Sequence, residues 1–344
     1  MALYLGILLF SFTISAIAVV PFIDLLYRIH FLHQPERSGL TKEDSAASKT
    51  LHRLHRWKGG TPVGGGMLII FLVSIIYLFL FPLLSRFGVY IKSSFSIKQE
   101  LNVIFFSFIS FGILGLYDDL IKIFPHRPQF LPLSSRLKRT FQLVLSFICS
   151  VLIHQGLGVS LLYVPFFGPL QLGWLYPLVS TIIIFIFSTA VDFSDGLDGL
   201  ASGLLFICLT AFWVVSLSAV DTPISVFIAL WLGSLLAFLY FNVFPARLWL
   251  GNAGSISFGA TLAVIALILG KSAALIVIGG LFLMDYFSSI LQFLSVKLWH
   301  HRLFSITPLH HLLQIRGWPE PKIVMRSWLL GLMLAVAGLW LGLK

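Results

Sequence analysis

The chain has 344 residues, of which 10% are charged and 58% apolar, at a mean hydropathy of +0.98. Soluble domains carry roughly 25% charged residues, so a soluble globular enzyme, a disordered chain and a coiled coil are excluded and a polytopic membrane protein is the class that fits. The formal net charge of +10 would read as a nucleic-acid footprint on a soluble chain; here it reads as basic residues sorted to one membrane face, and no nucleic-acid partner is expected.

Apolar runs follow one another at 3–27, 66–84, 101–117, 140–154, 175–191, 200–217, 223–243, 256–270, 272–296 and 323–342. A bilayer core takes about 20 helical residues, and only helices or closed barrels satisfy their own backbone in lipid. The expectation is therefore an all-α protein, one membrane domain over residues 1–344 with about ten spans. No basic residue precedes Arg28, so the first run reads as a span rather than a secretory leader. Cys149 and Cys208 lie inside apolar runs and read as buried free thiols rather than a disulfide or a metal pair.

With the loop 28–65 placed in the cytoplasm, 18 of the 23 Lys and Arg fall on that side: seven in 28–65, five in 118–139, Arg247, and Lys297, Arg302, Arg316, Lys322 and Arg326 around the last loop. The other side receives Arg86, Lys92, Lys98, Lys271 and Lys344. By the positive-inside rule both termini face outward.

The chemistry-bearing residues collect on the same side. The first loop ends in Lys58 and a glycine-rich entry, Gly59-Gly60-Thr61-Pro62-Val63-Gly64-Gly65-Gly66, which suits either close helix packing or a phosphate contact. Asp118-Asp119, with Lys122 after them, are either solvated helix-end acids or ligands for Mg²⁺, which is commonly held by one or two carboxylates plus phosphate. Asp192, Asp195 and Asp198 are spaced three apart and share one face if helical; Gly196 and Gly199 between them permit a turn. Asn242, Trp249 and the run Gly251-Asn252-Ala253-Gly254-Ser255 lead into the eighth span, a helix start of the kind that suits phosphate. His310-His311 precede Gly317-Trp318-Pro319-Glu320-Pro321, without the spacing of a zinc site. Ionisable groups at span ends are costly and tend to be functional, which favours a single site on the cytoplasmic face.

Together these segments, from about Lys58 to Lys344, resemble the polyprenyl-phosphate N-acetylhexosamine-1-phosphate transferase superfamily. The Asp118-Asp119 pair with Lys122, the run Asp195-Gly196-Leu197-Asp198-Gly199-Leu200-Ala201 and the Asn242/Pro245 segment are similar to superfamily motifs. Pro308-Leu309-His310-His311 with Gly317–Pro321 resembles the signature of the phospho-N-acetylmuramoyl-pentapeptide transferase branch. The resemblance implies a multi-pass enzyme of the bacterial cytoplasmic membrane, a homodimer, with Mg²⁺ as cofactor and a cytoplasm-facing site. It would join undecaprenyl phosphate to the phospho-MurNAc-pentapeptide of a UDP-sugar, giving lipid I and UMP. By the same resemblance Asp118, Asp119 and Asn252 are the catalytic and metal positions. Lys58, Lys122, Asp192, Asp195, Gly196, Asp198, Asn242, Trp249, His310 and His311 are expected to bind the nucleotide-sugar.

The chain departs from the family pattern where Asn252 stands for Asp, Asp192 and Thr189 for Asn, and Leu312 for a third His. The exchange at 252 and 192 leaves the acid count unchanged, so Asp192 is expected to compensate for Asn252. Two other readings remain open at this stage, transfer from another donor such as UDP-GlcNAc and a catalytically degenerate relative. A transporter would instead expect repeat symmetry and acids near the bilayer midplane, and only Asp285 lies well inside an apolar run.

Overall fold

The computed structural model describes residues 1–33, 46–86, 88–125, 133–164 and 168–343. Arg37, Lys42, Arg127 and Lys344 of the charge count lie outside them.

The described residues form thirteen α-helices and one short hairpin. In chain order the helices are α1 (Ala2–Arg28), α2 (Ala46–His55), α3 (Gly65–Arg86), α4 (Ile97–Ile123), α5 (Ser135–Val151), α6 (Tyr176–Ser194), α7 (Leu200–Ser218), α8 (Thr222–Asn242), α9 (Gly251–Ile268), α10 (Ser272–Ile278), α11 (Gly280–Trp299), α12 (Leu309–Ile315) and α13 (Glu320–Gly342). Strands β1 (Leu161–Val164) and β2 (Gly168–Gln171) pair antiparallel between α5 and α6. Ten helices are long and apolar enough to cross a membrane, which bears out the all-α polytopic expectation.

The axis of the molecule is α9, whose residues are almost all buried. Lipid supplies no hydrophobic drive between helices, so small residues and interhelical hydrogen bonds do the joining. A Cβ on Gly66 would lie 2.2 Å from the Gly254 Cα, one on Gly115 2.1 Å from the Asn252 carbonyl oxygen, and one on Gly259 2.3 Å from the Phe187 carbonyl oxygen. Hydroxyls complete these seams: Ser257 donates to the Phe108 carbonyl at 2.6 Å and Ser188 to that of Ile256 at 3.2 Å. The same device joins α1 to α8, where Ser11 donates to the Leu230 carbonyl at 2.6 Å and Ser15 and Ser234 hydrogen-bond at 2.7 Å. Phe108, Phe227, Trp231 and Phe258 fill the space between α4, α8 and α9, with ring centroids 4.9–5.8 Å apart, the range of favourable aromatic pairs.

Several boundaries differ from the sequence reading. The apolar run 272–296 is not one span: it breaks at Gly279 into α10 and α11. A Cβ on Gly279 would sit 2.4 Å from the Phe187 ring, so glycine stands where α10 ends and α11 begins. The third span, α4, continues to Ile123, which places Asp118 and Asp119 within its last turns. Asp192, Asp195 and Asp198 do not share a helix face, because α6 ends at Ser194 and a turn containing Gly199, at φ +80°, starts α7. Hydropathy alone cannot register these breaks, since glycine interrupts the backbone without interrupting the apolar run.

Candidate active site

The C-terminal turn of α4 meets the first turn of α9. Asp119 is buried, its Oδ1 accepting the Asn252 N–H and its Oδ2 the Ala253 N–H, each at 3.1 Å. These are orphan donors of a helix start, which favour an anion. Gly251, at φ +76°, makes the approach possible, because a Cβ there would lie 2.8 Å from Asp119 Oδ2.

Asp118 is held from three directions. Its Oδ2 lies 3.1 Å from Lys122 Nζ and 2.9 Å from Lys138 Nζ, and it accepts the side-chain amide of Asn252. Its Oδ1 has no hydrogen bond among the described residues. Lys138, in the first turn of α5, also lies 2.9 Å from Asp192 Oδ2, while Asp192 Oδ1 accepts the Ser255 hydroxyl at 2.9 Å. Asn252, Asp118, Lys138, Asp192 and Ser255 therefore form one connected chain of polar contacts. Nothing in the sequence singled out Lys138 beyond its place in a basic loop, since its partners lie 20 and 54 residues away.

The turn between α6 and α7 carries the next group. Asp195 is half-buried, and its carboxylate has no hydrogen bond among the described residues. Burial, reinforced by the charges of Asp192, Asp119 and Asp198, pushes its pKa up to about 8. Asp195, Gly196, Leu197, Asp198, Asn242 and Trp249 line a narrow cleft of about 10 Å³. Asn242 is buried and braces this wall, its Oδ1 accepting the Ser202 hydroxyl at 2.5 Å and its Nδ2 donating to the Leu248 carbonyl at 2.9 Å. Trp249 packs on the His33 ring at 4.6 Å.

Lys58 does not line the cleft, and Asp198, on its wall, has both carboxylate oxygens already engaged. Lys58 is buried, with its Nζ 2.8 Å from Asp198 Oδ1 and 2.6 Å from Glu320 Oε1. Glu320 also accepts the Asp198 N–H at 2.6 Å, and Asp198 Oδ2 the Ala246 N–H at 3.0 Å. This triad ties the first loop to the α6–α7 turn and to the start of α13.

The histidines close the site. A Cβ on Gly196 would lie 2.6 Å from His310 Nε2 and 3.1 Å from the His311 ring, so glycine admits the pair. His311 Nδ1 lies 3.0 Å from Gln314 Oε1, which His55 Nε2 also meets at 3.0 Å. Burial and the neighbouring His310 drive the His311 pKa down to about 2, and burial with Lys58 lowers that of His55 to about 4; both rings are neutral near pH 7. His310 Nδ1 lies 2.8 Å from Asp285 Oδ2.

No three His, Cys, Asp or Glu side chains converge as a ready metal cage among the described residues. Beside the Asp118 end, an apolar groove of about 260 Å³ runs between α3 and α4, lined by Ile70, Phe71, Ile113, Leu116 and Ala253 among others.

The pattern of Glycosyl transferase family 4 matches residues 101–270, which hold Asp118, Asp119, Asp192, Asp195, Asp198 and Asn252. A phospho-N-acetylmuramoyl-pentapeptide-transferase of Bacillus pumilus is 31% identical over 97% of this chain and 96% of its own length. Proteins of the same name from Limosilactobacillus reuteri and Moorella thermoacetica are 35% and 33% identical, over 86% and 84% of this chain and 87% and 86% of theirs. On this near full-length similarity, the chain belongs to the phospho-N-acetylmuramoyl-pentapeptide-transferase family.

Proposed function

We propose that this protein transfers phospho-MurNAc-pentapeptide from UDP-MurNAc-pentapeptide to undecaprenyl phosphate, giving lipid I and UMP, at the cytoplasmic face of a bacterial cell membrane. A phosphate oxygen of the lipid attacks the sugar-bearing phosphorus of the UDP-sugar. One P–O–P linkage breaks as UMP leaves, and one forms in the lipid diphosphate. The observation that carries this reading is the meeting of Asp118, Asp119, Lys122, Lys138 and Asp192 at one end of an apolar bundle. The groove beside them supports entry of the lipid from the bilayer, and the cleft at Asp195–Asp198 supports a polar donor arriving from water.

Two anions must approach, so stabilising negative charge is the main task. Lys122 and Lys138 supply positive charge at Asp118. Asp119 is fixed by the α9 amides and steadies the α4–α9 junction. The open Asp118 Oδ1 and the amide oxygen of Asn252 suit Mg²⁺, which prefers oxygen ligands and takes few from protein. The bound ion would neutralise diphosphate charge. With Asn252 in place of a carboxylate, the site would hold it more weakly than one with three acids. We further propose a homodimer, in line with the family resemblance.

The test is incubation of purified protein with Mg²⁺, undecaprenyl phosphate and either UDP-MurNAc-pentapeptide or UDP-GlcNAc. UMP together with a lipid-linked sugar from the muramoyl donor is the expected result. UMP from UDP-GlcNAc alone would assign another donor, and none from either would make the chain an inactive relative.

A further inference from the structure

Asp285 has no place in the reaction as described, yet both of its carboxylate oxygens are engaged. It lies buried in the second turn of α11. Its Oδ2 meets His310 Nδ1 at 2.8 Å and accepts the Ser194 hydroxyl at 3.1 Å, and its Oδ1 accepts the His310 N–H at 3.3 Å. It therefore grips both the ring and the backbone of one residue on α12, and anchors that grip to the end of α6.

The consequence lies on the far side of the ring. A carboxylate only accepts, so Nδ1 of His310 carries a proton, and the partner of one ring nitrogen sets the role of the other. Nε2 is buried and has no hydrogen-bond partner among the described residues. Buried polar atoms are rarely left unpaired. It faces Gly196, where a Cβ would come within 2.6 Å, and Gly196 forms part of the cleft wall. The other ionisable groups around His310 are His311 on its own helix, His55 from α2, Lys58 from the first loop with Asp198 from the α6–α7 turn, and Glu320 from α13. Of these, Lys58, Asp198 and Glu320 are committed to one another.

We propose that Asp285 is a positioning residue: it fixes the rotamer and the Nδ1–H tautomer of His310, so that Nε2 is the ring atom presented to the donor substrate. This inference rests on the transferase reading above.

The test uses the full-length protein and Asp285→Asn, Asp285→Glu and His310→Gln. Asp285→Asn removes the acceptor that holds the proton on Nδ1, so kcat/KM for the UDP-sugar should fall about tenfold or more, while KM for undecaprenyl phosphate stays within about twofold. Asp285→Glu should restore most of the activity, and Asp285→Asn added to His310→Gln should cost little beyond His310→Gln alone. Nitrogen-15 NMR of the His310 ring reads its tautomer without turnover. A proton on Nδ1 in the parent, lost as a preference in Asp285→Asn, supports the proposal. The same tautomer in both overturns it, as does an equal loss toward both substrates or full additivity of the two changes. If the parent turns over neither donor, the transferase reading fails, and the ring tautomer still decides whether Asp285 controls His310.

Discussion

Replacing Lys58 with Met should be among the most damaging single changes in the protein. The Lys58, Asp198 and Glu320 side chains are only 1%, 2% and 7% exposed. At contacts of 2.8 and 2.6 Å, each pair has a gross attraction of about 6 kcal/mol at an effective dielectric of about 20. Desolvation offsets most of that in the intact triad. Methionine fills similar volume but leaves two carboxylates buried beside each other with no cation, and breaking a buried pair costs about 3–5 kcal/mol. Glu320→Gln is the contrasting change. It leaves the Lys58–Asp198 pair neutral overall and keeps an oxygen that accepts from Lys58 Nζ and from the Asp198 N–H, so the cost should stay near 1 kcal/mol. Thermal unfolding followed by tryptophan fluorescence in detergent reads both. At about 2 °C per kcal/mol for a large domain, Lys58→Met should lower Tm by about 6–10 °C and Glu320→Gln by about 2 °C. Equal shifts, or a Lys58→Met shift under about 2 °C, would refute the view that the lysine is the keystone of a buried ionic clamp.

Asn252→Asp removes the amide donor to Asp118, so it should lower Tm in EDTA and enlarge the rise in Tm on adding Mg²⁺. Because Lys138 joins Asp118 to Asp192, adding Asp192→Asn should give a coupling of about 0.5 kcal/mol or more in a double-mutant cycle; strictly additive shifts would break the link. Gly115→Ala drives a Cβ to within 2.1 Å of the Asn252 carbonyl oxygen and should cost at least about 1–3 kcal/mol along with UMP release. Gly156→Ala, with nothing within 4 Å of its Cβ, should leave both unchanged. Near the opposite end, Asp221 caps α8 through the Ile224 N–H at 3.1 Å, and burial raises its pKa. A raised carboxyl binds its proton more tightly when folded, so stability falls as pH climbs above about 4, the unfolded value. Asp221→Asn keeps the cap and should melt higher than the parent at pH 8 but equally at pH 4.

The number and order of spans were legible because hydropathy over about 20 residues is a local property of the chain. The gathering of polar residues at one end was legible too, since alternating spans place Asp118, Asp192 and Asn252 at the same face. What stayed hidden was pairing. Lys58 reads as a free phosphate ligand until Glu320, 262 residues away, is seen against it. Asp285 reads as an anomaly inside an apolar run until His310 is found beside it. The break at Gly279 escaped for a related reason, because the Phe187 ring that makes glycine necessary belongs to another helix.

The exchange at positions 252 and 192 takes on a different meaning in three dimensions. In sequence it is a lost acid and a gained one, 60 residues apart. In the structure the two side chains flank a single cation, with Asn252 reaching Lys138 through Asp118 and Asp192 touching it directly. The negative charge has moved across Lys138 rather than left the site. Asn252 also does what an aspartate there could not, donating to the very carboxylate beside which a second acid would be repelled. The cluster thus keeps its charge total while gaining an internal hydrogen bond. Its stability without a bound cation should rise, and its affinity for one should fall. A site altered in this way is expected to need more Mg²⁺ for the same chemistry, and neither substitution can be judged apart from the other.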